Sequence, residues 1–496
     1  MTLGYVYNDS GASLAYLGPG LDVAVEEVQR TYHGVINFRH TYLIDRNILD
    51  CTALADSTEY MLSKWWYGPR LIANFTAFVG PQCLETREVN RLLSLWNVAF
   101  VTTISGDPIL RDKTFSPTSL STSSLTTISY AHLFQAILQR YNWRNIFAVF
   151  DIMSVISYQI YGSAILARLT RHAGFVMTQR KLDFRTKAQY LSALSDFKDV
   201  SRVCLFFGHA QRLRQFLVYA SEEGMTNGEY VYLAMELNPS PLLGNLTWRY
   251  GDASDQIARA AFQSLLVIQP PTESVIGSVK IRKLEREFMR RTVEDFGLPI
   301  PKKPVNALLA ANYAAVLIVA IVLNETLSRD SSFPFSNGRE FARLFRDRGF
   351  HTDVADIYID HVGERQPNLT VAQFDRDSGE LTPRLLQLAD LSRVLELSQL
   401  RWPSGNGAPP PNTPLCGYRN ERSSCQGSAT SWTQGFGVIG AFVSCLIGVR
   451  LVFLLKKRLF AKDRKASDFW LDATWLHSPP SGRCCFTSSL VRLCYY

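Results

Sequence analysis

The sequence has few of the residues from which catalytic sites are built. Its eight histidines are scattered over 496 residues, and none stands in an H-E-x-x-H pattern or at the spacing of a Cys/His zinc site. A G-x-S-x-G turn, which would hold a nucleophilic serine, is also missing. These gaps argue against metallohydrolases and serine hydrolases. We therefore expect no catalytic residues, no metal site and no organic cofactor.

The chain also begins without a recognisable export signal. Residues 1–9, MTLGYVYND, have the pattern of a β-strand and lack the basic segment and apolar stretch of a secretory leader. Since later features place most of the chain outside the cell, we expect the natural N-terminus to lie upstream of Met1.

Long runs without charge are scarce, and the clearest lies near the C-terminus. Residues 435–455 contain Arg450 as their single charge and number 21, about the length that crosses a bilayer core of roughly 30 Å. Arg450 lies near one end, where its side chain can reach the interface. Basic residues follow at 456, 457, 458, 462, 464 and 465. Such a flank is typical of the cytoplasmic side, so we predict one plasma-membrane span, with residues 1–434 outside and a short tail, 456–496, inside.

A second apolar stretch occupies residues 306–327. Its sequence, NALLAANYAAVLIVAIVLNETL, is apolar on almost every side, but it lacks a basic flank and precedes a polar loop. We interpret it as a buried core helix, with a second membrane crossing as the alternative.

Glycines open the predicted membrane helix. Gly435, Gly437 and Gly440 match the letters of a G-x-G-x-x-G dinucleotide turn, but the preceding strand and the following acidic residue of that motif are missing. Gly440, Ser444 and Gly448 instead share one helical face, a pattern that lets two membrane helices pack closely. Glycines that are merely tolerated in a membrane helix are the alternative.

An outside location predicts glycans and disulfides. Five N-x-Ser/Thr sequons lie upstream of the predicted span and none downstream. The predicted acceptor residues are Asn8, Asn74, Asn245, Asn324 and Asn368. Residues 1–434 also hold five cysteines, an odd number, so at least one is unpaired or pairs between chains.

Strand and helix patterns alternate along the outer portion in two successive series. The first ends with VAFVTT at 98–103, and the second runs from a helix at 129–141 to the strand YVYLAM at 230–235. Apolar strands that alternate with helices predict parallel sheets covered on both faces. More than 400 residues exceed one hydrophobic core, so we predict an α/β fold with two lobes.

The predicted lobes are followed by a segment of different composition. Residues 402–414, WPSGNGAPPPNTP, are rich in Pro and Gly, which predicts a semi-rigid stalk before the membrane. The net charge of +8 comes partly from the basic residues beside the span and forms no stripe along the chain. We therefore do not expect a nucleic-acid partner.

Three stretches resemble the ligand-binding ectodomains of receptor guanylate cyclases and natriuretic-peptide receptors, which have the type I periplasmic-binding-protein fold. FVGPQCLET at 78–86 is similar to the family's Gly-Pro-x-Cys turn. IYIDHVGERQPNLTVAQFD at 357–375 resembles its late hairpin. PLCGYRNERSSC at 414–425 resembles its membrane-proximal loop, and the likeness runs in order over roughly residues 1–455.

The resemblance implies the domain limits. A ligand-binding region would fill residues 1–405, followed by the stalk at 406–434. Lobe 1 would combine about residues 1–120 with 260–348, and lobe 2 about residues 121–259 with 349–405. The chain would cross between lobes near 115–128, 255–265 and 345–355 and would line a cleft there.

The resemblance also implies how the cysteines pair. The family's two juxtamembrane cysteines close a loop within one chain, which implies a bond from Cys416 to Cys425; bonds between two chains are the alternative. Cys51 and Cys83 match the family's first-lobe pair. We expect Cys204 to be a buried free thiol on a strand.

Natriuretic-peptide receptors bind a chloride ion on backbone amides of the Gly-Pro-x-Cys turn. The resemblance therefore implies a chloride site on the amides of Gln82 and Cys83, because successive N–H groups form anion-binding nests. Gln82 stands where the family has a small residue. An ordinary strand-to-helix turn is the alternative.

Only 41 residues follow the predicted span, too few for the family's kinase-homology and cyclase domains. We therefore expect a single-pass receptor that binds an extracellular peptide or small molecule and is not an enzyme. Two alternatives stay open: the front end of an active receptor guanylate cyclase, or a decoy or dominant-negative partner of one. Because the resembled family pairs through its ectodomain, we expect a homodimer or a heterodimer with related receptors.

Overall fold

The computed structural model describes residues 1–6, 13–68, 75–80, 84–104, 107–172, 174–237, 243–271, 279–297, 306–389, 393–419, 421–422, 425 and 443–458. Contacts divide the chain into two compact units, Met1–Glu421 and Arg422–Tyr496. The first unit contains two α/β lobes.

Lobe 1 begins with five parallel strands. They are β1 (Thr2–Leu3), β2 (Tyr42–Leu43), β3 (Ala77–Gly80), β4 (Ala99–Thr102) and β5 (Ser119–Ser121). Strand β1 pairs with β2, while β4 pairs with β3 and β5. The Val79 N–H donates to the Met1 carbonyl at 2.8 Å and so joins β1 to β3. The strand order is therefore β2-β1-β3-β4-β5.

Helices cover both faces of this sheet. They are α1 (Leu14–Thr31), α2 (Cys51–Tyr67) and α3 (Thr86–Leu95), and a 3-10 turn follows at Pro108–Arg111. Strand β4 shows why two covered faces need a continuous apolar run: Val101 packs in the core on the α1 side, and Phe100 packs with α2 and α3.

Lobe 2 repeats the same winding. Its parallel strands are β6 (Asn145–Asp151), β7 (Val176–Leu182), β8 (Val203–Phe207), β9 (Val231–Met235) and β10 (Leu265–Gln269), in the order β7-β6-β8-β9-β10. Its helices are α4 (Thr127–Arg140), α5 (Ile156–Thr170), α6 (Lys187–Val200), α7 (Ala210–Glu222) and α8 (Asp255–Ala261). On β8, Leu205 and Phe207 face α4 and α5, whereas Cys204 and Phe206 face α6 and α7. The prediction of two doubly covered parallel sheets is confirmed.

The chain then returns to lobe 1. It forms α9 (Val279–Phe296), α10 (Asn306–Arg329), α11 (Gly338–Arg343) and the antiparallel strands β11 (Arg348–His351), β12 (Asp356–Ile359) and β13 (Arg365–Gln366). Helix α10 packs against α1, where a Cβ on Gly20 would stand only 2.8 Å from the Leu309 carbonyl oxygen. A bridge between Ser121 and Glu364 attaches the β12–β13 hairpin to β5.

Three last strands complete lobe 2. They are β14 (Leu369–Phe374), β15 (Leu381–Gln387) and β16 (Val394–Glu396). Strand β14 pairs antiparallel with β10, so the lobe 2 sheet has eight strands.

The chain changes lobe between β5 and α4, between β10 and α9, and between β13 and β14. The predicted changes near residues 260 and 348 were therefore placed too early, as were the crossings expected at 255–265 and 345–355. Strand β10 stays in lobe 2 because it pairs in parallel with β9. Strands β11 and β12 stay in lobe 1 because Phe350, Ile357 and Ile359 pack in its core.

Among the described helices, Leu308–Arg329 alone is long and apolar enough to cross a membrane by length and composition. Within the protein, 78% of its apolar window is buried. Tyr313, Ala314 and Ile318 lie in the lobe 1 core with α1. This confirms the prediction that residues 306–327 form a core helix.

The second unit contains helix α12, residues 443–458. Every one of these residues is exposed. The large apolar side chains among them are Val443, Leu446, Ile447, Val449, Leu451, Val452, Phe453, Leu454 and Leu455. Residues 435–442 of the predicted span and 459–496 of the predicted tail lie outside the described residues.

Candidate functional site

The carboxyl ends of both parallel sheets lie at the crossings between the lobes. The first crossing leaves the end of β5 in lobe 1, and the second leaves the end of β10 in lobe 2. All carboxyl ends of parallel strands share one edge of a sheet. Ligands of open α/β sheets bind outside this edge, so the space between the lobes is the candidate site.

Buried hydroxyl groups line the lobe 1 side of this site. Thr103, Ser123 and Ser124 follow the ends of β4 and β5, and all three are buried. The Thr103 hydroxyl donates to the Asn312 side-chain oxygen at 2.5 Å, and the Ser123 hydroxyl donates to the Ile104 carbonyl at 2.8 Å. The first crossing therefore lies within the range 115–128 that the resemblance implied.

A buried carboxylate lies on the lobe 2 side. Asp151, at the end of β6, accepts two hydrogen bonds from Arg212 at 2.7 and 2.8 Å. It also accepts the backbone N–H groups of Met153 and His209, at 3.1 and 3.2 Å. Because these donors come from two loops, Asp151 fixes both loops at the carboxyl edge, and we assign it a structural role.

Three tyrosines occupy the first two turns of α4 and α5. Tyr130, Tyr158 and Tyr161 are buried, and the rings of Tyr130 and Tyr161 meet edge to face with centroids 5.3 Å apart. The Tyr130 hydroxyl donates to the Glu236 carbonyl at 3.1 Å. Burial raises the pKa of Tyr161 well above its usual value, and the Glu364 carboxylate adds to the rise. Lobe 2 therefore places the neutral phenol of Tyr161 near Glu364 of the β12–β13 hairpin.

A buried polar network joins the lobes at the third crossing. The hinge network consists of Arg111, Ser129, Asp360, Glu364 and Gln366. Arg111 donates to Asp360 at 3.1 Å and to Glu364. The Gln366 amide donates to Asp360 at 2.9 Å, and its oxygen accepts from Ser129 of α4 at 2.5 Å. The network is thus a continuous hydrogen-bonded chain from lobe 1 to lobe 2.

Charges near the hinge network are strongly affected by burial. Burial raises the pKa of Glu364 above its usual value, although Arg111 opposes the rise. Burial, with a smaller contribution from the neighbouring Arg346, lowers the pKa of Lys113 to about 7. The Lys113 amine donates to the Leu110 carbonyl at 2.7 Å and to the Ser119 carbonyl and hydroxyl, both at 2.9 Å.

An exposed apolar surface borders the lobe 2 side of the site. Ile152, Met153, Ile156 and Ile160, here called the apolar rim, are 44%, 51%, 57% and 42% exposed. The first two follow β6, and the other two lie one turn apart on α5. Clustered exposed apolar side chains commonly mark a binding surface.

The cysteines are only partly within the described residues. Cys51, Cys416 and Cys425 are disulfide-bonded, whereas Cys83 lies outside the described residues. The pairings of Cys51 with Cys83 and of Cys416 with Cys425 stay predictions. Cys204 is buried and free, which confirms the prediction of a buried thiol.

Three of the five predicted glycan acceptors are described. Asn245 and Asn368 are exposed, and Asn324 is half-buried on α10. Asn8 and Asn74 lie outside the described residues.

The predicted chloride amides of Gln82 and Cys83 are also outside the described part of the chain. Next to them, the Leu84 N–H donates to the carboxylate of Glu85 at 2.9 Å, and Glu85 is buried. A carboxylate beside this turn makes the surroundings less favourable for a second anion. The chloride site stays a prediction.

Two members of the predicted membrane packing row lie on α12. Ser444 and Gly448 are exposed, and no atom lies within 4 Å of the position that a Cβ on Gly448 would take. Gly440 lies outside the described residues. Within the described ranges, no group of three or more His, Cys, Asp or Glu side chains could hold a metal ion.

The hinge network is not among the predicted site residues. Its members are far apart in sequence: Ser129 and Gln366 are separated by 237 positions. The segment GERQ at 363–366 places three polar residues beside an apolar strand. This was the one sequence feature that could have indicated the hinge network. The signal was missed because the third crossing was expected at 345–355.

Two doubly wound lobes that meet at their carboxyl edges place this protein in the two-lobed periplasmic-binding-protein-like class. The family described as receptor family ligand binding region, the ANF receptor family, matches residues 18–377, well over half of the chain. The chain therefore belongs to this receptor family, and the resemblance found in the sequence is confirmed.

The chain is similar to several curated proteins. It is 24% identical over 281 residues to atrial natriuretic peptide receptor 2 of Mus musculus, which covers 54% of this chain and 26% of that protein. It is 26% identical over 387 residues to receptor-type guanylate cyclase gcy-8 of Caenorhabditis elegans, which covers 70% of this chain and 32% of that protein. The chain thus spans about a quarter to a third of the length of these relatives.

Among solved structures, a leucine-binding protein of Thermotoga maritima superimposes with a TM-score of 0.48 at 15% sequence identity. The superposition covers 78% of this chain and 98% of that protein.

Proposed function

We propose that this chain is the ligand-sensing part of a single-pass cell-surface receptor related to natriuretic-peptide receptors and receptor guanylate cyclases. One observation carries the proposal: in a chain of the receptor ligand-binding family, two doubly wound lobes meet at their carboxyl edges. An extracellular ligand between the lobes would favour one lobe angle over another. It would do so only through different affinities for the two arrangements.

The hinge network gives this motion a mechanical basis. Ser129 moves with α4 of lobe 2, and Arg111 belongs to lobe 1. Gln366 connects them through Asp360 and holds hydrogen bonds at both ends. A change in lobe angle must keep or exchange these buried bonds, so the network favours discrete arrangements over a continuous range.

The apolar rim favours a peptide ligand. Its side chains follow the carboxyl end of β6 and lie on the start of α5, and they are about half exposed. A peptide can cover such a surface and reach the crossings at the same time. The name of one relative, atrial natriuretic peptide receptor 2, supports testing peptides first.

We further propose that residues 435–455 cross the plasma membrane with the lobes outside. Helix α12 supports this proposal, because its residues 443–455 are exposed and mostly apolar and because Lys456, Lys457 and Arg458 end it. Exposed apolar helices of this kind are stable in lipid rather than in water.

Two other functions rest on the same lobes. In the first, the chain is the front end of a receptor guanylate cyclase, in keeping with the name of the relative gcy-8, and a transcript that continues into a cyclase domain would favour this. The chain could instead act as a decoy or dominant-negative partner, and co-purification with a full-length relative would favour that function. We assign the lobes a binding role and no catalysis in each case. Production of cyclic GMP from GTP by the purified chain would contradict this assignment.

Binding to cells tests the receptor proposal. The full chain, expressed behind a signal peptide, is exposed to labelled atrial natriuretic peptide and to a panel of extracellular peptides, with scrambled sequences as controls. For a bound peptide, Ile156→Asp should weaken binding at least tenfold, because it places a charge in the apolar rim. Val176→Asp is the matched control, because Val176 is similarly exposed but begins β7. It therefore lies at the amino ends of the parallel strands, away from the candidate site. Equal losses for both variants would contradict a role of the apolar rim.

A further inference from the structure

Arg365 is a partly covered cation at the third crossing, and no counter-charge pairs with it among the described residues. One of its terminal nitrogens donates to the Thr122 carbonyl at 3.1 Å. Its Nε atom is fully covered and has no hydrogen-bond partner. No carboxylate among the described residues forms an ion pair with it, and the adjacent Glu364 pairs with Arg111 instead. Burial lowers the pKa of Arg365 to about 10, so the side chain remains charged at neutral pH.

Two arginines that are more deeply buried have carboxylate partners. Arg214 pairs with Asp252 and Asp255, both below 3 Å, and Arg384 pairs with Asp375 at 2.8 Å. A charge that leaves water without a partner costs several kcal/mol, which is why such charges are normally paired. Arg365 has no such partner among the described residues, and its Nε atom has no acceptor.

Several buried groups without partners lie near the same crossing, and two of them belong to Asn312 and Ser124. The Nδ2 atom of Asn312 has no acceptor, and Asn312 is 0% exposed. Its other side-chain atom accepts from Thr103, and the preceding Ala311 carbonyl accepts from the Thr122 hydroxyl at 3.2 Å. Thr122 therefore touches both the α10 segment around Asn312 and Arg365. Two positions after Thr122, the hydroxyl of Ser124, 6% exposed, is also without a partner.

These three groups share one chemical property. A guanidinium, an amide nitrogen and a hydroxyl can all donate hydrogen bonds, and the guanidinium adds a positive charge. The complementary partner is a group with a negative charge and several acceptor positions. Carboxylates, phosphate and halide ions meet this description.

We propose that Arg365, Asn312 and Ser124 form a binding site for an anionic group at the junction of the lobes. The anion neutralises Arg365 and accepts from Asn312 of lobe 1 and from Ser124 of the first crossing. It therefore connects α10 to the hinge and stabilises one arrangement of the lobes. The site uses side chains of three separate segments and does not involve the amides of Gln82 and Cys83. It stands independently of which extracellular ligand the receptor senses.

Thermal unfolding of the full chain in detergent tests the site with bare anions. Chloride, phosphate, acetate and N-acetylglycine are titrated at constant ionic strength, with a bulky organic sulfonate as the balancing anion. At least one anion should raise the Tm saturably, by roughly 2–4 °C. A response to chloride or phosphate identifies a free inorganic ion as the occupant. A response to acetate or N-acetylglycine alone identifies the carboxylate of an organic ligand.

Two variants decide whether Arg365 is responsible. Asn312→Asp keeps the size and shape of the side chain and supplies a negative charge within the proposed site. It should raise the Tm in the absence of the anion and abolish the saturable response. Arg365→Met should also abolish the response.

Arg214→Met is the matched control, because it removes a covered arginine that already has carboxylate partners. It should lower the starting Tm and keep the response to the anion. The proposal is wrong if no anion stabilises the natural chain, or if Asn312→Asp and Arg365→Met respond as the natural chain does. Neither outcome bears on peptide binding at the apolar rim, so the two proposals fail separately.

Discussion

Ser129, on the first helix of lobe 2, donates a 2.5 Å hydrogen bond to Gln366 at the end of the lobe 1 hairpin. Both side chains are almost fully buried. This single bond spans the third crossing, and it is continued on the lobe 1 side by Asp360 and Arg111. The junction of the lobes is therefore a specific polar structure, and its components can be tested one at a time.

Removal of the Gln366 amide should destabilise the protein. In Gln366→Leu, the Ser129 hydroxyl and one Asp360 oxygen lose buried partners, which costs about 1–3 kcal/mol. Chemical denaturation of the full chain measures the change in free energy of unfolding. Gln29→Leu is the control, because Gln29 makes one hydrogen bond at the exposed surface and its loss should stay within about 0.5 kcal/mol. Equal effects of the two variants would count against a stabilising hinge network.

Stability should rise with pH above neutrality because of Lys113. Its pKa is lowered to about 7 in the folded protein, below the usual 10.5, so the unfolded chain binds more protons between these values. The free energy of unfolding should then increase across this range, by up to about 1.4 kcal/mol per pH unit. Below pH 7 both states hold the proton, and the slope from this group vanishes.

Lys113→Met should remove that slope, as measured by denaturation at several pH values between 7 and 10. Lys187→Met, at an exposed lysine that pairs with Glu222, is the control and should keep it. A slope that survives in Lys113→Met would show that another group causes it.

Peptide mapping without reduction should link Cys51 to Cys83 and Cys416 to Cys425. Cys204 should react with alkylating reagents only after unfolding, because it is buried on β8 and burial raises the pKa of its thiol. Loss of the first-lobe bridge should cost about 2–4 kcal/mol. A peptide in which Cys204 is joined to any of the other four would contradict the assignment.

The face of α12 that carries Ser444 and Gly448 should assist self-association in the membrane. Replacement of Gly440 and Gly448 by Ile removes the space for a second helix, and such close packing contributes about 1–2 kcal/mol. Dimers in bilayers should therefore weaken roughly tenfold by energy-transfer measurements. Val449→Ile, one position away on another face, should leave them unchanged. Chains that remain monomeric at every concentration would contradict self-association.

Local patterns predicted the two parallel sheets, because every strand such as β8 must place apolar side chains on both faces. The same patterns placed the core helix α10, whose apolar run has no basic flank. They could not place the lobe changes, since β10 pairs with β9 on one side and with β14 on the other, and these partners are more than 130 positions apart. The hinge network and the unpaired Arg365 depend on those long-range pairings, so no local pattern revealed them.

The orientation of the chain in the membrane tests the central claim most directly. The full chain is expressed behind a signal peptide, with one epitope before Met1 and another after Tyr496. Antibodies to the first epitope should label intact cells, and antibodies to the second should need permeabilised cells. Glycosidase treatment of intact cells should shrink the protein, and Asn245→Gln and Asn368→Gln, at exposed acceptor residues, should reduce the shift. Labelling of the second epitope on intact cells, with no shift by glycosidase, would contradict a receptor whose lobes face the outside.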